Sequence, residues 1–296
     1  SDQLKRIMKR SMEDISSIYD ETRKIVEDIK ERGDSVTLGH YKKHKDDINT
    51  GDLEVTREEI AIAYTKIDPK VVESLKKAAD NISKFHRAQL EREMWSIEIS
   101  GGIIAGRMIR PMDIVGCYIP GGTAAYPSSI LMTVIPAKVA GVKNVVAVTP
   151  PLSGMRANPA ILVAADIAGC DKIFKIGGAW GIASLAYGTE TVPKVDKIVG
   201  PGNKWVTAAK MLVYGLVGID APAGPSEALI LADEIADPEL VAVDFLSQIE
   251  HDPDSAAVLI TTSSILAEKV CNIIDTRFES LPRKKILHSA IKKHSH

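Results

Sequence analysis

The run IVGCYIPGGTAAYPSSILMTVIPAKVAG, residues 114–141, decides the reading of the fold. Ile114 to Ile119 is a short apolar run of the kind a buried strand needs. Pro120, Gly121 and Gly122 then break it, and an apolar helical stretch opens at Pro127. The same strand, turn, helix rhythm recurs downstream. Strands are predicted at 144–148 (NVVAV), 172–176 (KIFKI), 197–199 (KIV), 228–232 (ALILA) and 256–261 (AAVLIT). Helix signals fall between them: Asn158 with Pro159 opens a helix that Gly169 closes, Asn203 opens one that Gly215 closes, and Asp237 with Pro238 opens a third. Strands alternating with helices pair in parallel through right-handed crossovers, so the class is α/β.

Upstream of Asp113 the composition differs. The first ninety or so residues are dense in Lys, Glu, Asp and Arg and carry helical periodicity. Thr56 with Glu59 forms a capping-box pattern. Asp68 and Pro69 open a helix whose stripe, Val72, Leu75, Ala79, Ile82 and Phe85, is predicted to pack inward. His86 adjoins it as a half-buried helix histidine with no assigned chemistry. Ser100, Gly101 and Gly102 turn between two short strands, WSIEI and IIAGRMI. The chain thus divides into a helical N-terminal region with short strands at 1–112, an α/β body at 113–223 and a second α/β part at 224–296.

The 296 residues carry 37 Lys and Arg against 39 Asp and Glu, a net charge of −2 that offers no field to nucleic acid or an anionic membrane. The three cysteines, Cys117, Cys170 and Cys271, are too widely spaced for a disulfide framework or a CxxC zinc site. The first residues are too charged for the core of a signal peptide, and no apolar stretch reaches the ~20 residues of a membrane span. A cytoplasmic protein is expected.

Ligands of open α/β sheets bind beyond the carboxyl ends of the strands, where this chain has three glycine-rich loops. They are PGG at 120–122, GGAWG at 177–181 and GPGN at 200–203. Missing side chains admit a ligand to the backbone, and free N–H groups at a helix start favour an anion such as a pyrophosphate. None is a full GxGxxG, so each alone reads first as a plain tight turn. In AGPSE, Ser226 is a nucleophile, a ligand-binding hydroxyl or a turn residue, with no base identified beside it. In SQIEHD, Gln248 and His251 lie three apart on one helix face, both acceptable metal donors but too few for zinc. Glu250 and His251, adjacent on a helix, point about 100° apart and make a poor base and partner.

Taken in order, VGCYIPGGTAAYPSSILMTVIPAKVAGVKNVVAVTPP, NPAILVAADIAG, YGTETVPKVDKIVGPGN, VGIDAPAGPSE and LSQIEHD resemble histidinol dehydrogenase, and NISKFH at 81–86 extends the likeness backwards. The resemblance implies a zinc-dependent, NAD-linked oxidation of L-histidinol through L-histidinaldehyde to L-histidine. It implies homodimers with incomplete Rossmann-like domains, so the expected fold is a set of Rossmann-like parallel sheets with a helical N-terminal region. By position, Tyr118 and Asn203 match NAD-contacting residues, Ser226 a substrate-contacting residue, and Gln248 and His251 two zinc ligands that also hold the substrate. In the family the zinc orients the substrate's imidazole and amine. An adjacent Glu and His pair further along removes protons and activates water.

Two departures stand out. The family's GGAQA, whose Gln touches NAD, is here GGAWG, with Trp180 and Gly181, so tryptophan either stacks on the cofactor or fills its space. The sequence also stops at His296, short of the Glu and His pair, the remaining Asp and His zinc ligands and the C-terminal region that reaches the partner's site. The catalytic pair is therefore expected beyond the chain end, and the chain alone is expected to be inactive; His294 and His296 are terminal residues in a basic run, not ligands. Other readings are an NAD-linked dehydrogenase of another small alcohol, a non-catalytic binding module, and thiohemiacetal chemistry at Cys117, against which a small buried strand residue is the plainer account.

Overall fold

The computed structural model describes residues 17–45, 47–121, 126–221, 227–250, 253, 255–278, 280–281 and 283–295. Two compact units separate between Pro222 and Ala223.

The first unit opens with helices α1 (Tyr19–Arg32), α2 (Asp34–Tyr41), α3 (Arg57–Lys66) and α4 (Pro69–Ala88). The expected caps form: Thr56 and Glu59 make a capping box on α3, and the Asp68 carboxylate accepts from Lys70 N–H ahead of Pro69. An antiparallel hairpin follows, β1 (Met94–Ser100) with β2 (Ile103–Met108), turning through Gly102 at φ +82°. The body then alternates: β3 (Ile114–Tyr118), α5 (Pro127–Val139), β4 (Asn144–Val148), α6 (Pro159–Ala168), β5 (Lys172–Phe174), α7 (Gly178–Tyr187), β6 (Lys197–Val199), α8 (Lys204–Val213) and β7 (Gly218–Ile219). Asn158 caps α6 and Gly169 ends it in the left-handed conformation.

All five body strands pair in parallel in the order β5-β4-β3-β6-β7. From β3 the chain steps outward through β4 to β5, then returns to the other side of β3 to lay down β6 and β7. This is the first five strands of a dinucleotide-fold sheet, and its strand order reverses between β3 and β6. Strand alternation sorts the core into two layers. Val115, Cys117, Val145, Ala147 and Ile173 face α3, α4, α5 and α6, with Ile130, Leu131, Val134 and Ile161 buried against them. Tyr118, Val146, Val148, Phe174 and Ile198 face α1, α7 and α8, with Ile29, Ile182, Val206 and Val213. The N-terminal helices therefore complete both layers of the body.

Three expectations change. The strand expected over 172–176 ends at Phe174, because Lys175 N–H turns to the Leu53 carbonyl of an edge segment at 2.7 Å. Phe85 is 63% exposed, so the stripe of α4 is used only as far as Ile82. The two-residue β7 had no visible sequence period.

The second unit contains β8 (Glu227–Ala232), α9 (Pro238–Ile249), β9 (Ala256–Thr261), α10 (Ser264–Phe278) and α11 (Lys284–His294). Asp237 caps α9, and β8 and β9 pair in parallel with Glu227 opposite Ala256. Phe245, Leu246, Ile249, Ala257, Leu287 and Ala290 are buried together in this unit. Among the described residues no helix is long and apolar enough to cross a membrane.

Candidate functional site

The reversal of strand order brings the carboxyl ends of β3 and β6 side by side. Tyr118 closes β3, and Gly200 follows β6 with φ +123°, where a β-carbon would overlap the Tyr118 carbonyl oxygen. Only glycine lets the GPGN loop lie this close to Tyr118. The loop is held from below. Gly200 N–H donates to Asp220 Oδ2 at 2.7 Å, while the buried Lys210 ammonium donates to Gly200 O at 3.1 Å, to Asp220 and to Ala221 O at 3.3 Å. A lysine inside the apolar run KWVTAAKMLV was the sequence signal for this network. Asn203 is exposed and caps α8, its Oδ1 accepting from Trp205 N–H at 3.1 Å and Val206 N–H at 3.2 Å.

The GGAWG loop is equally close-fitted. A β-carbon at Gly177 would stand 2.6 Å from Pro150 Cβ. Two of its helix-start donors are already engaged, against the expectation that they await an anion. Gly177 N–H donates to the buried Tyr41 hydroxyl at 2.8 Å, and Gly178 N–H to the Tyr118 hydroxyl at 3.1 Å. Burial pushes both phenols above their usual range, so both stay protonated at neutral pH. Trp180 stacks on His40 of α2, ring centroids 3.7 Å apart and planes 22° from parallel. His40 and Tyr41 gave no signal in the sequence, because nothing local ties them to a loop so far along the chain.

A pyrophosphate-bearing cofactor fits this arrangement in part. Gly177 and Gly200 pack against Pro150 and Tyr118 and bring the loops together without opening space themselves, while the buried Thr149 hydroxyl beside Gly121 lacks a hydrogen-bond partner among the described residues. An anion taking the Gly177 and Gly178 N–H groups would have to exchange with the two phenols. On the α5 side of the sheet a mostly apolar cleft of about 1270 Å³ runs between α5 and the hairpin, lined by Met94, Met108, Met132 and Val199 and reaching Gly200. Neither Tyr118, Trp180 nor Asn203 lines it.

In the second unit, Gln248 is half-buried in the last turn of α9, which ends at Ile249. Ser226 and His251 lie outside the described residues. Among the described residues no three His, Cys, Asp or Glu side chains gather as a metal-binding group. Gln248 and His251 are two donors where zinc takes three or four from protein, so these residues by themselves do not make a zinc site.

Two of the three thiols are inert by environment. Cys117 is buried in β3, and burial pushes its thiol up to about 12, so no thiolate is present near neutrality. Cys170 is also shifted upward by burial, and Cys271 is exposed. Iodoacetamide at neutral pH is expected to modify Cys271 first in the folded chain, with Cys117 reacting only after denaturation; peptide mapping that finds Cys117 labelled early would contradict its burial.

Residues 8–296 match the family model for histidinol dehydrogenase. The histidinol dehydrogenase of Methanococcus maripaludis is 50% identical over 286 residues, covering 96% of this chain and 67% of that protein. That of Methanocaldococcus jannaschii is 47% identical, covering 97% of this chain and 66% of the relative. The crystal structure of histidinol dehydrogenase from Elizabethkingia anophelis superimposes with a TM-score of 0.87 at 40% identity, covering 94% of this chain and 64% of that one. The chain thus spans about two thirds of the length of these relatives.

Proposed function

The chain belongs to the histidinol dehydrogenase family, and from that premise we propose that it supplies the NAD-binding part of an enzyme oxidising L-histidinol through L-histidinaldehyde to L-histidine. The observation that carries the reading is the contact of Gly200 with Tyr118 at the point where strand order reverses, the position at which open α/β sheets hold nucleotides. The bound dinucleotide would supply the hydride acceptor. The chain's own contribution is positional. Tyr118 and Asn203 flank the cofactor at the ends of β3 and β6, and the Lys210–Asp220 pair keeps the GPGN backbone fixed while it binds. Ser226 is assigned to the substrate, and Gln248 with His251 to part of the zinc and substrate site. The same reading carries a homodimer with a cytoplasmic address.

Asn203 separates cofactor contact from helix capping. Asn203→Ala is expected to weaken NAD binding about tenfold in calorimetric titration, roughly the 1.4 kcal/mol of one good hydrogen bond. Asn203→Asp keeps the capping oxygen but loses the amide donor and adds a charge. If the residue touches the cofactor, Asp is as damaging as Ala; if Asp binds NAD like the parent, Asn203 is a helix cap and leaves the site.

A further inference from the structure

Helix α2 reaches the GGAWG loop with two consecutive side chains. Tyr41 accepts the Gly177 N–H, and His40 lies flat against Trp180, the position where the resembling family carries its cofactor-touching Gln. His40 is itself seated, edge-on to Tyr41 at 4.8 Å between ring centroids, and Tyr41 in turn contacts His44 at 5.5 Å. The imidazole is half-buried, and burial with the neighbouring Lys43 and His44 lowers it to about 4. It therefore meets the indole as a neutral ring, and the contact is aromatic stacking, not a cation over a π face. Trp180 is half-buried and packs against the core on the α7 side of the sheet, and His40 stacks on its ring from outside that core.

We infer that His40 is a positioning residue for cofactor binding: through its stack on Trp180 it fixes the orientation in which the indole meets the dinucleotide. The inference rests on the NAD reading above, and goes beyond it by assigning a role to a residue of the N-terminal helices. His40 need not touch the cofactor. Its effect should pass wholly through Trp180, which distinguishes it from a residue that merely stabilises the fold.

The test uses the full 296-residue chain carrying Trp95→Phe and Trp205→Phe, so that Trp180 is the sole tryptophan of the original three. His40→Ala is expected to raise acrylamide quenching of Trp180 about twofold and to weaken NAD binding roughly 2- to 12-fold, the range an aromatic pair contributes. In a Trp180→Gln background the same His40→Ala change should leave the NAD affinity within about twofold, as an interaction routed through one partner must. His40→Phe, which keeps a flat ring, should restore both quenching and affinity. An unchanged Trp180 quenching in His40→Ala, or an equal loss of NAD affinity with and without the indole, overturns the inference. Absence of NAD binding by the parent overturns instead the cofactor reading, and the quenching comparison still reports whether His40 holds Trp180.

Discussion

Gly200→Ala is expected to be the most damaging small substitution in the body, costing about 3–5 kcal/mol of stability. Two penalties coincide. The residue sits at φ +123°, which a β-carbon resists, and the added carbon would overlap the Tyr118 carbonyl oxygen, a backbone atom with no side-chain freedom to move aside. Relief requires β6 to separate from β3 at its end, which also breaks the Gly200 hydrogen bond to Asp220 and takes the Gly200 carbonyl from the buried Lys210 ammonium. Gly215→Ala is the control. Gly215 has φ +96° but open space around it, so only the conformational cost of about 1 kcal/mol applies. Urea unfolding followed by far-ultraviolet circular dichroism should show a large drop in midpoint for Gly200→Ala and a small one for Gly215→Ala. Equal midpoints would mean that the close approach to Tyr118 does not constrain the fold, and the site built on it would lose its main support.

The second large effect concerns metal and turnover. The 296-residue chain, dialysed against metal-free buffer, is expected to retain substoichiometric zinc and to produce NADH from histidinol only at background. Gln248 and His251 supply two donors, and no described group of three acidic, imidazole or thiol side chains stands ready to complete a tetrahedral site. In a chain of the relatives' full length, His251→Ala should lose metal and activity together, because a lost ligand leaves the substrate's imidazole unanchored. Excess zinc should return part of the turnover, as mass action refills a weakened site. One tightly held zinc per 296-residue chain with normal turnover would show that the site is complete without further residues. The assignment of Gln248 and His251 as only part of it would then be abandoned.

Much of the architecture was legible because its rules are local. Strand and helix periods depend on residues two to four apart, and caps on a side chain reaching the next two or three amides. The strands at 144–148, 197–199 and 256–261, the Asn158, Asn203 and Asp237 caps and the Thr56–Glu59 box accordingly stand where the pattern put them. The two-residue β7 was invisible because it is too short to show alternation, and becomes a strand only by pairing with β6. Phe85 continued an apolar stripe that no facing helix reached to cover.

The site divides along the same line. The glycine loops and the family motifs, with Tyr118, Asn203, Ser226, Gln248 and His251 among them, could be named from the sequence, because residue type and spacing carry them. What those loops do with their hydrogen bonds could not. Their free N–H groups were the sequence-level argument for an anion, yet Gly177 and Gly178 donate to Tyr41 and Tyr118, 136 and 60 residues away, and Gly200 to Asp220. Trp180 was visible as a departure, while its stacking partner His40 was not. Sequence alone therefore determined which backbone stretches turn, cap and extend, since those choices are made among neighbours. Only the tertiary structure decided which donors remain for a ligand, because the order β5-β4-β3-β6-β7 and the helices packed on its faces choose partners across the chain, and no local pattern records that choice.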